Sequence, residues 1–395
     1  MSEEMKSLSD ANQLIHAFNQ AKKERIWKES VQNYEVNLLR NTYLLRTSLR
    51  EGTYKQKPFY EFTLKERGKT RSIKSMHIMD RVVQRSLCDY ILMPQLKKYL
   101  IYDNGASLKN KGIDFTRKRL ETHLHRFYRK NGSNEGYVLL MDYSKFFDNI
   151  RHDKFIALLE KKINSPEFMS FMKQLLKSFS VDVSYLSNEE YKTRLNQLYD
   201  SLEHSKIDPS LLVGEKMMDK SVGIGSQISQ VCGIFYPTRV DTYCKIVKGM
   251  KYYGRYMDDV YVIHKDKEVL KQLLKEVDEL SKELGLFINP KKTQIVKLKH
   301  GFTFLKIKYN LTESGKVLKR LVPKTITKER RRLKKYKKLM EEGKMSYKEI
   351  ELAYKSWRGN ALRYQAYTSV KHLDALFDQL YIKEWKGKNK DELIV

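Results

Sequence analysis

Cysteine is scarce in this sequence: only Cys88, Cys232 and Cys244 occur, far apart and without Cys-x-x-Cys spacing. That excludes a disulfide framework and a zinc module, and with them a zinc-bearing nuclease domain. Long apolar runs are missing too. No stretch reaches the about 18 apolar residues of a membrane-spanning helix, and the opening MSEEMKSLSD lacks the basic start and apolar core of a signal peptide. A cytoplasmic protein with no membrane partner is expected. Repeats and low-complexity tracts are absent as well. The last deficit is acid. Against 77 Lys and Arg stand 48 Asp and Glu, a net charge of +29, which calls for a polyanionic partner because clustered cations gain affinity by releasing phosphate counterions. Nucleic acid leads; a merely solvated Lys-rich surface and an anionic membrane surface are the weaker readings.

At 395 residues the chain has room for two or three domains. Apolar residues at helical intervals predict a helical region over 1–50. KQKPFYEFTLKERGKTRSIK reads as a basic β-hairpin turning at Gly68, and two helical segments follow. The apolar run 137–141 predicts a buried strand that ends by delivering Asp142. Residues 154–213 read as polar helices, a segment or insertion with no assignable role. After the Gly-rich DKSVGIGSQISQ come a β-hairpin centred on KYYGRYMDDVYVIH, a helix over 265–284 and a second hairpin turning at 313–316. From 324 onward the pattern is helical and basic, including KERRRLKKYKK with eight basic residues and one acidic.

Adjacent Asp258 and Asp259 at a hairpin tip repel each other, raise each other's pKa and destabilise the fold unless a cation compensates. A divalent ion resolves the conflict. Hard oxygen donors suit Mg2+, with Mn2+ as a substitute, and Asp142 on its own strand end supplies the third carboxylate of a two-metal site. Read alone, an Asp-Asp pair is equally a solvated turn. The order of strand-end carboxylate, Gly-rich loop, Asp-Asp hairpin and Lys-Thr in a basic chain favours the metal platform.

In that order the motifs resemble bacterial retroelement reverse transcriptases. LLMDYSKFFDNIRHDKF is similar to their first palm motif, IGSQISQ to their nucleotide-and-template loop, RYMDDV to their catalytic hairpin, NPKKTQIVKLKHGFTFL to the two palm motifs that follow, and ERGKTRSI with DRVVQ to their fingers. Within that group, the Ile-Gly-x-x-x-Ser-Gln pattern at Ile224, Gly225, Ser229 and Gln230 resembles diversity-generating retroelement polymerases more than group II intron enzymes, and SWRGNA resembles a thumb element of the same set. Defence-associated reverse transcriptases are close relatives. The resemblance implies an α+β right-hand polymerase: fingers over 51–136, an antiparallel-sheet palm over 137–310 and a basic helical thumb and C-terminal region over 311–395. It implies a metal-dependent RNA-directed DNA polymerase, with deoxynucleoside triphosphates, a non-coding template RNA and a DNA product as its partners, and with an accessory protein or a second copy of the chain as further ones. Untemplated or protein-primed DNA synthesis and a non-catalytic RNA-binding scaffold are the alternatives.

The same resemblance assigns roles. Asp142, Asp258 and Asp259 are the catalytic metal ligands. Lys65 and Arg71 meet the incoming triphosphate, with Lys69 at the turn read as solvated. Phe147, five residues after Asp142, is the steric gate against a ribose 2′-hydroxyl, while Phe146 and His152 are structural. Gly225 admits the nascent base pair, Gln230 contacts backbone or template, and Lys292 lies near the pyrophosphate. Tyr256 and Met257 lie at the primer end and Arg81, with Gln84, at the template; strand and helix packing are the plain readings of these four. One departure stands out: Lys306 follows Phe304 and Leu305 where the family carries glycine.

Overall fold

A computed structural model describes residues 1–66 and 68–382. Four helices open the chain, α1 (Glu3–Leu8), α2 (Ala11–Ala21), α3 (Glu29–Val36) and α4 (Leu38–Arg50). Ser2 and Asp10 start the first two, each side chain accepting from the N–H three residues on, which satisfies one orphan donor per helix. Strands β1 (Tyr60–Glu66) and β2 (Lys69–Ser75) form an antiparallel hairpin with Lys65 opposite Thr70. Helix α5 (Ile78–Ser86) continues through a π-turn into α6 (Met93–Leu96), and α7 (Ile113–Asn131) precedes β3 (Tyr137–Met141). The YVLLM run of β3 is almost wholly buried, as expected of a strand covered on both faces.

The tract read as polar helices is only partly so. After α8 (His152–Glu160), helix α9 (Pro166–Lys177) buries Phe168, Met169, Phe171, Met172, Leu175 and Leu176. It is core. Polar character belongs to the excursion that follows, which leaves at β4 (Val181–Asp182), passes α10 (Asn188–Leu195) and α11 (Ser201–His204), and returns at β5 (Met217–Met218), antiparallel to β4. Then come α12 (Gln227–Phe235), α13 (Thr238–Thr242), β6 (Tyr252–Tyr256), β7 (Asp259–His264), α14 (Lys267–Glu283) and β8 (Gln294–Lys297). The central four-stranded sheet has the order β6-β7-β3-β8.

By internal packing the chain divides into two units. One comprises Met1–Thr116, Leu140–Val262 and Glu268–Gln294, the other Arg117–Leu139, Ile263–Lys267 and Ile295–Val395. In the second unit the sequence predicted one hairpin, but three strands form, β9 (Phe302–Phe304), β10 (Ile307–Leu311) and β11 (Val317–Leu321), with β10 in the middle. Helices α15 (Pro323–Glu341), α16 (Tyr347–Leu362) and α17 (Tyr367–Phe377) follow. Leu333, Ile350, Tyr354, Leu373, Phe377 and Tyr381 pack between them, so Lys324, Lys328, Arg330, Arg331, Lys334 and Lys335 are left on the exposed side. The end of the predicted basic region, 383–395, lies outside the described residues. No described helix is long and apolar enough to cross a membrane.

The extra strand exists because Leu305 and Lys306 make a two-residue turn, both with positive φ, at 44° and 67°. Turns of this kind favour Asn-Gly because an L side chain resists that backbone conformation. Arg117 supports the strained turn, donating from Nη2 to the Leu305 carbonyl at 2.5 Å and from Nη1 to Tyr364 Oη at 2.8 Å. Lys306→Gly should therefore stabilise the second unit by about 1 kcal/mol, read as a raised thermal midpoint.

In the first unit, Lys220 is fully buried and donates to the Leu195 and Gln197 carbonyls at 3.2 and 2.6 Å. Burial, reinforced by Arg151 and Arg194, lowers its pKa from 10.5 to about 8. Between these two values the unfolded chain binds the extra proton, so stability rises with pH across the window. In chemical denaturation, Lys220→Met should compare best with the wild type at pH 7 and lose up to about 3 kcal/mol of that relative standing by pH 10.5.

Candidate active site

Asp142 is the first residue after β3. Its carbonyl accepts from Asn289 N–H at 2.8 Å, while Ser144 N–H donates to the Phe287 carbonyl at 2.8 Å. This short ladder brings the NPKKT segment alongside the carboxylate. The catalytic-hairpin motif turns as tightly as its sequence suggests: β6 ends at Tyr256, β7 begins at Asp259, and Met257 takes φ 53° in the turn between them.

Beneath this turn lies a buried ion pair. Arg255 Nε and Nη2 donate to the two Asp241 oxygens at 2.8 and 2.6 Å. Its Nη1 donates to the Gly233 and Met257 carbonyls, both at 3.0 Å, and Nη2 also to the Ile234 carbonyl at 2.7 Å. Tyr253 Oη donates to Asp241 at 2.6 Å. Two carbonyls at the C-terminal end of α12 thereby accept from a cation, the Ile234 carbonyl accepting from Asn104 Nδ2 at 3.1 Å as well, and the Met257 carbonyl is held in place behind Asp258.

The three carboxylates lie within electrostatic reach of one another. Burial, then the Asp258 and Asp142 charges, push Asp259 up to about 7. Burial followed by the Asp142 charge raises Asp258 in the same way. Lys292 and Lys69 oppose both shifts. Lys292 Nζ donates to both Asp142 oxygens, at 2.6 and 2.8 Å. Among the described residues no three His, Cys, Asp or Glu side chains are gathered into an ion-binding group; Lys292 is the cation that Asp142 contacts. A set of buried hard-oxygen donors that repel one another and draw a lysine inward is nonetheless the donor chemistry that suits a hard divalent ion.

A cleft of about 590 Å³ opens above the carboxylates, lined by Asp258, Lys292, Phe147 and the β2 residues Lys69, Thr70, Arg71 and Ser72. Phe147 stands edge-on to buried Phe146 at 5.2 Å. Behind it is Gly233, where a Cβ would come within 3.1 Å of the Phe147 ring and 2.9 Å of Met257 Sδ. Of the two cations predicted for the triphosphate, Arg71 lines the cleft and Lys65, on β1, does not. Lys69, read from sequence as solvated, lines it as well: it lies two residues from Arg71 on the same face of β2, whereas Lys65, paired with Thr70, is on the other face of the hairpin.

Arg81, Gly225 and Gln230 meet in a separate cavity of about 220 Å³, together with Arg25 and Arg85. Gly225, at φ 123°, is needed for close approach to the hairpin: a Cβ there would meet the Lys74 carbonyl at 3.0 Å, whose own N–H donates to the Ile224 carbonyl. Gln230 Oε1 accepts from Ser107 Oγ at 2.9 Å, and Arg81 bonds to the Met76 carbonyl and Ser75 Oγ, both at 3.1 Å. Tyr256 and Met257 pack on Ala106, Leu108 and Ile234, away from the cleft lining. His152 is buried and bonded to the Ser221 carbonyl at 2.6 Å, a structural residue as predicted. Sequence reasoning gave no sign of Arg25, which sits in a loop among other basic residues. It also missed Leu198, Ser201 and Leu202 of the excursion, which line the main cleft.

Comparison with known proteins bears on this geometry. No curated protein matches the sequence. Solved structures similar to the chain include telomerase from Candida albicans in complex with a TWJ fragment of telomeric RNA, at 13% identity and TM-score 0.48 over 85% of this chain and 55% of that one. Apo telomerase from Candida tropicalis is similar at 16% identity and TM-score 0.41, over 67% and 49%. The chain spans about half the length of these telomerases. The family profile described as reverse transcriptase (RNA-dependent DNA polymerase) matches residues 63–309, which contain β2, all three carboxylates, the Gly-rich loop and Lys292. With helices and antiparallel sheets arranged around that stretch, the chain belongs to the reverse transcriptase family.

Proposed function

We propose that this chain extends a hydroxyl primer with deoxynucleotides on an RNA template, within a bacterial or phage retroelement or an antiphage system that carries its own non-coding RNA. The observation that carries the reading is a cleft lined by Asp258 together with Lys69, Arg71 and Lys292, with Asp142 bonded to Lys292 and Asp259 within electrostatic reach of both other carboxylates. Acid and base together at one cleft fit a substrate that is a metal-bound triphosphate. Asp142, Asp258 and Asp259 would hold Mg2+, which supplies charge neutralisation and hydroxyl activation in phosphoryl transfer. Arg71 offers a planar fork and Lys69 a point charge to phosphate oxygens. Lys292, bonded to both Asp142 oxygens, lines the cleft where the triphosphate would lie. Phe147 stands at the cleft wall where a ring opposes an additional hydroxyl, and the exposed cations of α15 suit the phosphates of a duplex or structured RNA.

Purified protein given labelled deoxynucleotides, Mg2+ and RNA copurified from its native locus should incorporate label into product that sequences back to that RNA. Asp258→Ala with Asp259→Ala should reduce incorporation to background and chelation should do the same. Product that persists in the double variant, or a wild type inert under every primer and template supplied, would overturn the reading. Phe147→Ala should raise ribonucleotide incorporation relative to deoxynucleotide by about tenfold or more, since the discrimination comes from a steric clash; competition between matched dNTP and NTP measures it.

A further inference from the structure

The excursion between β4 and β5 has no role in the reading above, yet its Leu198, Ser201 and Leu202 line the nucleotide cleft. The chain there is fastened to the loop that carries Phe147. Lys145 Nζ pairs with Asp200 at 2.8 Å. Asp148, buried, accepts from Ser201 N–H at 3.1 Å and Ser201 Oγ at 2.9 Å. Asn149, fully buried, donates to the Tyr199 carbonyl at 3.0 Å and accepts from Tyr199 N–H at 2.9 Å. Three consecutive excursion residues thus grip the Phe147 loop on both sides of the ring. Lys220 fixes the same segment one step earlier, through Leu195 and Gln197.

Two leucines on this wall face the other way. Leu198 and Leu202 line the cleft with Phe147, and Leu198 is 43% exposed. A wall built only to stabilise the fold would turn its leucines inward, as α9 does. Held outward on a rigid segment, they suit the apolar faces of a sugar ring or base.

Resting on the polymerase reading, we propose that residues 195–202 are a substrate-specificity element: Leu198 and Leu202 contact the incoming nucleoside, and Tyr199, Asp200 and Ser201 set the position of Phe147. Ser201 acts as a positioning residue, through Asp148 and the loop. Its hydroxyl is directed to the Asp148 carboxylate at 2.9 Å, even though the residue lies in the cleft lining.

The test is single-nucleotide incorporation with matched dNTP and NTP by the full chain. Leu198→Ala and Leu202→Ala should each raise KM for the dNTP about fivefold with a smaller change in kcat, the signature of lost nucleotide contact. Ser201→Ala should weaken dNTP preference in kcat/KM, Ser201→Thr should restore it, and Ser201→Ala should add nothing in a Phe147→Ala background because both act through one ring. Unchanged KM in both leucine variants, or a loss of preference that adds to that of Phe147→Ala, overturns the proposal. The leucines make no side-chain hydrogen bond, so their result decides the contact role even where Ser201→Ala fails to fold. A wild type that incorporates no dNTP would instead sink the polymerase reading itself, and a wild type that works while Phe147→Ala discriminates normally would remove the gate alone.

Discussion

Everything at the cleft floor is referred to the Arg255–Asp241 pair. Both residues are fully buried, an arrangement that costs several kcal/mol per ion unless each polar atom finds a partner. Here the guanidinium uses all five of its N–H donors, on Asp241, Gly233, Ile234 and Met257. Because those acceptors come from α13, the end of α12 and the tight hairpin turn, one planar group sets the spacing among three elements. Gly233 shows how close that spacing is: no room remains for a methyl group between Phe147 and Met257. A buried ion pair is weak evidence for stability, but strong geometric definition is what a reaction centre needs from it.

Against this rigid base, the carboxylates are held in electrostatic conflict. Asp259 is raised to about 7 and Asp258 is raised with it, a strain that the fold tolerates because Lys292 and Lys69 stand nearby. Among the described residues Lys292 pairs with Asp142 and, with Lys69, offsets part of the charge on Asp258 and Asp259. Functional sites are where such local costs concentrate, with the compensation found in the surrounding structure.

Much of this was legible in the sequence, for identifiable reasons. The β1–β2 hairpin with its turn at Gly68, the strand ending at Asp142 and the hairpin tip at Asp258 follow from alternation, apolar runs and turn residues that act locally. So does the basic helical tail, whose exposed lysines and arginines alternate with one apolar stripe. What failed was information held in three dimensions. Lys65 and Lys69 are equally basic and a few residues apart, and the strand register, which pairs Lys65 with Thr70, puts them on opposite faces of the hairpin. The apolar side of α9 was masked by the polar chain on either side of it. Turn chemistry hid β9, since Leu305-Lys306 carries none of the glycine or asparagine that normally marks a two-residue turn. The grip of Tyr199 to Ser201 on Lys145 to Asn149 joins residues some fifty positions apart, a separation across which a single sequence gives no pairing signal.

The way the excursion is moored matters beyond the cleft. It is closed near its base by the β4–β5 ladder, with Gly214, Glu215 and Lys216 N–H groups bonded to Asp182 and Ser184, and again at Tyr199 to Ser201. Chain between these two moorings, around 205–213, is mechanically insulated from the chemistry. Leu211 and Val213 are exposed there, and nothing in the cleft registers how long that stretch is. Changes in its length would be taken up between the two moorings and leave the cleft lining of Leu198, Ser201 and Leu202 where it is.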